Sequence, residues 1–314
     1  MTISGFTFVK NATKLYFPAK QSILSILPIV DEFVIAIGKG DADDKTEEVI
    51  RSIDSDKIKI IHTDWDVDSY PWNTIFAQQT DVAKEACTGD WLFYLQSDEA
   101  IHEKWLPVIK NACNTYLDDK KVDGFLFKYK HFWGDYNHYQ LNHVWYDREI
   151  RLIRNDKNIH SWKDAQSFRK FDSFDYSFDA YHQHAGEKLN VIELPCEIFH
   201  YGFVRPPKLM RKKSKSSEIS FFGKYRPDKI NHEDDTFDYG PLDKVTIFKG
   251  KHPQAMADWI TDFHWKNELR YDGAFAGHKH DNLKYRLISW FENTFVGKQL
   301  WGFQNYKVIG KIKK

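Results

Sequence analysis

Trp91-Leu92-Phe93-Tyr94-Leu95-Gln96-Ser97-Asp98-Glu99 is an unbroken apolar run that ends on two adjacent acids. A run of this length, bounded by polar residues, reads as a strand covered on both faces, as in a parallel sheet. Open α/β sheets bind ligands beyond the carboxyl ends of such strands, so Asp98 and Glu99 are expected to face a crevice. Carboxylates there suit a hard divalent cation, Mg²⁺ or Mn²⁺, which takes oxygen ligands from protein and diphosphate together. The alternative is a solvated turn in which one acid favours the N-terminus of a following helix.

Towards the N-terminus the elements alternate. Gly5 to Val9 reads as a strand, Lys20 to Leu27 as a helix, and Phe33 to Ile37 as a second strand. A flexible acidic loop, Gly38 to Thr46, precedes a helix over Glu47 to Ile53 and a third strand over Ile58 to Ile61. Thr74 to Ala86 has helical apolar spacing and is closed by Thr88-Gly89-Asp90 before the strand at Trp91. Such alternation implies a parallel, doubly wound sheet.

The second half changes character. Strands are expected at Gly124 to Lys130, Glu149 to Arg154, Lys188 to Ile192 and around Ile198 to Tyr201. Residues 205 to 226 hold eight basic residues and the single acid Glu218, so positive charge is local although Lys plus Arg equals Asp plus Glu at 45 each over the chain. That balance gives no reason to expect nucleic acid as a partner. A boundary is placed near 240, giving a domain over 1–240 and a mainly helical extension over 241–314. Lys298, Lys307, Lys311, Lys313 and Lys314 lie among Trp301, Phe303 and Tyr306 in an acid-free tail, for which peripheral contact with an anionic membrane is the expectation. Cys87, Cys113 and Cys196 are widely spaced and odd in number, which fits reduced thiols in a cytoplasmic protein. No signal peptide and no membrane span is read from the sequence.

Taken in order, these segments resemble a family 2 glycosyltransferase of the GT-A fold over residues 3 to 215. The resemblance is carried by Gly5 to Ala12, Ser22 to Ile26, Phe33 to Ile37, Asp44-Lys45-Thr46, Gly89-Asp90-Trp91 running to Asp98-Glu99, and His200-Tyr201-Gly202. It implies a mostly parallel sheet with helices on both faces, plus the C-terminal extension. It also implies inverting transfer of a sugar from a nucleotide sugar to a carbohydrate or lipid-linked acceptor, as in bacterial surface polysaccharide or glycoconjugate synthesis. Two departures stand out: Gln96-Ser97-Asp98 occupies the family's Asp-x-Asp positions, and Gly38-Lys39-Gly40 lies where an acid often meets the base or ribose.

The resemblance implies roles for particular residues. Asp98, His200 and Glu99 are expected to hold Mn²⁺ or Mg²⁺, with dependence weakened by the neutral donor Gln96. Val9, Asn11, Gly38, Asp44, Gln96, Ser97, Asp98, Arg205 and Lys213 are expected to bind the nucleotide sugar, the two cations by neutralising the diphosphate. Asp164 is the candidate general base, with Asp147 and Glu149 as alternatives and a helix N-cap as its competing role. His131, Trp133, Tyr136, Trp145 and Trp162 are candidates for stacking on sugar faces, although rings of this kind also fill cores. His182-Gln183-His184 reads as an exposed loop rather than a metal pair. The rival functions are a nucleotidyltransferase and a catalytically inactive carbohydrate- or nucleotide-binding protein.

Overall fold

A computed structural model describes residues 1–174, 185–230, 235–269, 277–300, 302 and 304–313. His182, His184, Trp301, Phe303 and Lys314 lie outside the described residues. The N-terminal half alternates as expected: β1 (Ile3–Val9), α1 (Ala19–Ile26), β2 (Glu32–Gly38), α2 (Thr46–Arg51), β3 (Ile58–Thr63), α3 (Thr74–Glu85) and β4 (Trp91–Tyr94). After Asp98 the chain makes a short strand, β5 (Glu99–Ile101), and only later a helix, α4 (Leu106–Thr115), so no helix starts at the acid pair.

The remaining strands are β6 (Gly124–Trp133), β7 (His138–Gln140), β8 (Arg148–Arg154), β9 (Ile159–Trp162), β10 (Ser167–Lys170) and β11 (Glu187–Phe203). The main sheet runs β3-β2-β1-β4-β8-β6-β11-β10-β9. β1 to β4 are parallel, β8 is antiparallel to both its neighbours, and β6 is parallel to β11. This is an α/β fold built on a mixed, largely parallel sheet, with α1, α2 and α4 packed on one face and α3 on the other. The run at residue 91 is core throughout: Trp91, Leu92, Phe93, Tyr94 and Leu95 are each wholly buried.

The two strands expected near 188 and 198 are one, β11, which bulges between Glu193 and Glu197 on either side of Pro195. A proline cannot donate to a ladder, and the bulge accommodates it without ending the strand. α5 (Pro207–Phe222) follows and carries the basic run. Its C-terminal end is fixed to the start of α3 by Trp72 N donating to Phe221 O and Asn73 N to Ser220 O. Beyond residue 240, β12 (Thr246–Ile247), α6 (Ala257–Thr261), α7 (Leu283–Phe291) and β13 (Tyr306–Lys311) are interspersed with single turns. β12 pairs with β7 and β13 with β11, so the expected helical extension also adds strands to the sheet.

Candidate active site

Register brings the central residues together. β5, β11 and β6 lie side by side with Glu99 opposite His200 and His200 opposite His131. Asp98, just before β5, is fixed by Tyr201 N donating to its carbonyl at 2.8 Å. Its carboxylate is almost wholly buried and faces three nitrogen groups. Lys213 Nζ from α5 lies 3.3 Å and Arg205 Nη2 3.6 Å from Oδ2, while His200 Nε2 lies 3.7 Å from Oδ1. Gly202 allows this packing, since a Cβ there would lie 2.4 Å from His200 Nε2 and 3.0 Å from Asp98 Oδ2.

Burial opposes ionisation of Asp98, but Lys213, His200 and Arg205 outweigh it and hold the carboxyl down at about 2. Desolvation lowers His200 to about 4, so the ring is neutral near pH 7 and the two cations supply the effect on Asp98 there. Desolvation, then Arg205, brings Lys213 down to about 8, so it is still charged at neutral pH. Arg205 is fully buried, donates to Leu15 O at 3.0 Å and lies over the Phe17 ring. Its Nε and Nη2 have no hydrogen-bond partner among the described residues. Buried guanidinium N–H groups left in this way match an anionic ligand.

Hydrogen bonds fix which His200 nitrogen carries the proton. His131 Nε2 lies 2.8 Å from Tyr146 O, which only accepts, so Nε2 bears the hydrogen. The neutral His131 ring, lowered to about 3 chiefly by desolvation, then accepts at Nδ1 from His200 Nδ1–H across 2.8 Å. His200 Nε2 is left with a lone pair facing Asp98 Oδ1, beyond hydrogen-bond distance. Two acceptors converging in this way fit a divalent cation whose other ligands are phosphate oxygens or water. Among the described residues no cluster of three or more His, Cys, Asp or Glu side chains forms a closed metal cage.

Several expected site residues have other work. Glu99 is not available as a metal ligand: wholly buried, it pairs with Arg151 through two bonds of 2.8 and 2.9 Å and accepts from Tyr129 Oη at 2.7 Å. Gln96 donates from Nε2 to Ala165 O at 3.3 Å, tying down the β9–β10 hairpin. Ser97 is half-buried beside it. Asp44 accepts from the hydroxyls of Thr13 and Thr46, and Asn11 exchanges bonds with Asp41, so both shape the loop after β2. Gly38 makes room for Trp65, whose Nε1 would lie 2.3 Å from a Cβ there, and the Val9 side chain is core. An open cleft lined by Gly38, Gly40, Asp41, Asp44, His62 and Thr63 lies at these strand ends.

The sugar-stacking assignments are corrected by burial. Trp133 packs against Met210 and Tyr239 and donates to Tyr239 O, and Tyr136 lies in the cluster of Phe132, Tyr201 and Trp265. Trp162 is buried with the Arg169 guanidinium on its face, and His131 stands behind His200. Trp145 alone of the five is half-buried, edge-on to Phe203.

Asp164 sits at the tip of the β9–β10 hairpin, between Lys163 and Ala165, both of which have left-handed backbone. It is exposed to solvent yet hemmed in by protein, and desolvation raises its carboxyl above the usual range. The tip is held by Gln96 to Ala165 O and Arg151 to Gln166 O. Of these anchors Arg151 has no place among the expected site residues, and Gln96 is expected there only as a nucleotide-sugar contact. Nor is the His131 relay expected; its only sequence signal is a histidine on a strand next to the one bearing His200.

Below the hairpin Glu149 is wholly buried; Gln166 Nε2 donates to Oε1 at 3.0 Å, and Oε2 has no partner among the described residues. Desolvation pushes this carboxyl up to about 7 despite Arg151. The folded chain therefore keeps a proton that the unfolded chain releases. Stability is lost as pH rises from about 4.5 to about 7, by on the order of 3 kcal/mol, and is flat above that. Glu149→Gln is expected to be more stable than wild type at pH 8, with no such gain at pH 4. Denaturant titrations at both values check this; a gain of equal size at each would rule out the ionisation as its source.

The chain matches no protein-family model and no curated protein. Solved structures do match. The crystal structure of S. aureus TarS is 13% identical and covers 70% of this chain and 39% of its own, with a TM-score of 0.37. Glucosyl-3-phosphoglycerate synthase from Mycobacterium tuberculosis, in complex with Mn²⁺, UDP and phosphoglyceric acid, is 17% identical over 41% of this chain and 42% of its own, with a TM-score of 0.27. The chain thus spans less than half the length of either. Among the described residues no helix is long and apolar enough to cross a membrane.

Proposed function

We propose that this chain is a glycosyltransferase that moves a sugar from a nucleotide sugar to a hydroxyl acceptor, a carbohydrate or a lipid-linked one, with inversion. The observation that supports it most is the Asp98 group: a buried carboxylate, an imidazole lone pair facing it, and a buried guanidinium with unpartnered N–H groups, all on the carboxyl side of the sheet. Asp98 Oδ1 and His200 Nε2 would hold Mn²⁺ or Mg²⁺, which when bound would neutralise the diphosphate as it leaves.

Arg205 and Lys213 add fixed positive charge on the same leaving group. Arg205 is wholly buried and Lys213 largely so, and donors already in place in such surroundings stabilise developing charge without reorganisation. His131 holds the His200 ring in the tautomer that presents Nε2. Asp164 takes the proton from the acceptor hydroxyl at its carboxylate oxygen as that hydroxyl attacks the anomeric carbon. Its raised affinity for a proton suits a base, and the hairpin anchored by Gln96 and Arg151 fixes its position.

A panel of nucleotide sugars, with Mn²⁺ and an added acceptor, is expected to give nucleoside diphosphate. Release of sugar 1-phosphate instead, from attack at the α-phosphate, would establish the nucleotidyltransferase, and binding with no turnover the inactive binding protein. Asp164→Asn is expected to lower kcat by about 10²–10⁴ while donor affinity changes little. Donor titration beside steady-state rates checks this, and a loss confined to donor affinity would remove Asp164 from the base role.

A further inference from the structure

The segment from Leu283 to Val296, α7 and the wider turn that continues it, is built inside out. Its buried side is polar. Ser289 Oγ accepts from His143 N at 2.8 Å, and Glu292, almost wholly buried, meets His143 Nδ1 at 2.9 Å and accepts from Leu300 N at 2.6 Å. Its outer side is apolar. Leu283 is 67% exposed, Leu287 57%, Trp290 60%, Phe291 48% and Phe295 65%, and Phe295 joins the two aromatic rings before it into one ridge at centroid separations of 5.6 and 5.5 Å. A surface helix of a water-soluble domain normally turns such residues inward. Lys284, Arg286 and Lys298 are the exposed charges of residues 283–298, and Glu292, their one acid, is turned in.

We propose that this ridge is a membrane-surface contact that docks the protein on an anionic lipid bilayer. Leu, Trp and Phe would enter the boundary between headgroups and acyl chains, and the three cations would meet lipid phosphates, the pattern of an interfacial helix. Beside the ridge a cleft lined by Lys244, Arg286, Asn142, Asn293 and Trp290 offers donors to a headgroup phosphate; Asp281, also in its wall, accepts from His278 N. A second copy of the chain is a poorer occupant, because a two-fold contact sets these cations against their own kind. At about 150–250 Å² per large side chain the ridge presents on the order of 600 Å², below the roughly 800 Å² per partner of a standard interface. The proposal is independent of the reaction proposed above.

Co-sedimentation of the full chain with phosphatidylcholine vesicles, with and without phosphatidylglycerol, tests it. Wild type is expected to bind the phosphatidylglycerol vesicles at low salt and to be released as salt rises. The double variant Leu287→Glu/Phe295→Glu is expected to lose at least about tenfold in partitioning, and Arg286→Glu about fivefold, with circular dichroism unchanged since all three residues are exposed. Absence of wild-type binding at low salt, or binding by the double variant equal to wild type, would overturn the proposal. So would a solution dimer that the double variant dissolves, which would make a second copy the occupant.

Discussion

Asp98→Asn is expected to reduce nucleoside diphosphate release by at least about 10³, because it removes the anion that pairs with Lys213 and Arg205 and that, in the proposed reaction, would help hold a cation at the leaving group. It is also expected to cost about 3–5 kcal/mol of stability, since Arg205 is left charged, wholly buried and without its carboxylate. Both changes are read on one preparation: turnover with Mn²⁺, and a denaturant curve confirming that the protein is folded at the assay temperature. A folded variant with wild-type turnover would dismantle the site. Full stability with lost turnover would mean that Arg205 is paired some other way.

Arg151→Met carries the second large effect. Glu99 is then left in the core without its cation, with only Tyr129 and the Gln96 N–H as partners, and about 3–5 kcal/mol is expected to be lost. The double variant Glu99→Met/Arg151→Met removes both charges and is expected to lie closer to wild type than either single variant. This strongly non-additive cycle is what a structural ion pair gives. If Glu99→Met instead lost Mn²⁺ binding at unchanged stability, Glu99 would be a metal ligand after all.

The halves of the chain were unequally legible. Apolar runs and turn residues gave β1 to β4 and their helices within a residue or two, since β1, β2 and β4 are buried on both faces and each helix on one, while β3 at the edge still carries an apolar run. Beyond β4 the reading failed where distant strands decide the outcome. Asp98 and Glu99 look equivalent in sequence, but adjacent residues on an extended chain face opposite ways, so one meets the cations and the other meets Arg151. Arg151 within a strand gave no hint of burial, because its partner lies 52 residues away. Trp133 and Tyr136 were assigned to sugar because nothing in their spacing reveals the segments after residue 235 that cover them. Arg205 and Lys213 were picked from eight basic residues by resemblance alone, and the structure does bring both to Asp98. β11 reads as two strands in the sequence because the bulge between Glu193 and Glu197 leaves no local signature.

Glu99, His200 and His131 stand side by side on three adjacent strands, and His131 holds the His200 ring, so the imidazole that faces Asp98 is positioned by the sheet. In the proposed reaction the nitrogen ligand of a cation would thus be set by the sheet and the oxygen ligand by the turn before β5. A lineage seeking another ion would then have two separate handles: exchanging His200 on its strand, or reshaping the short turn that carries Asp98.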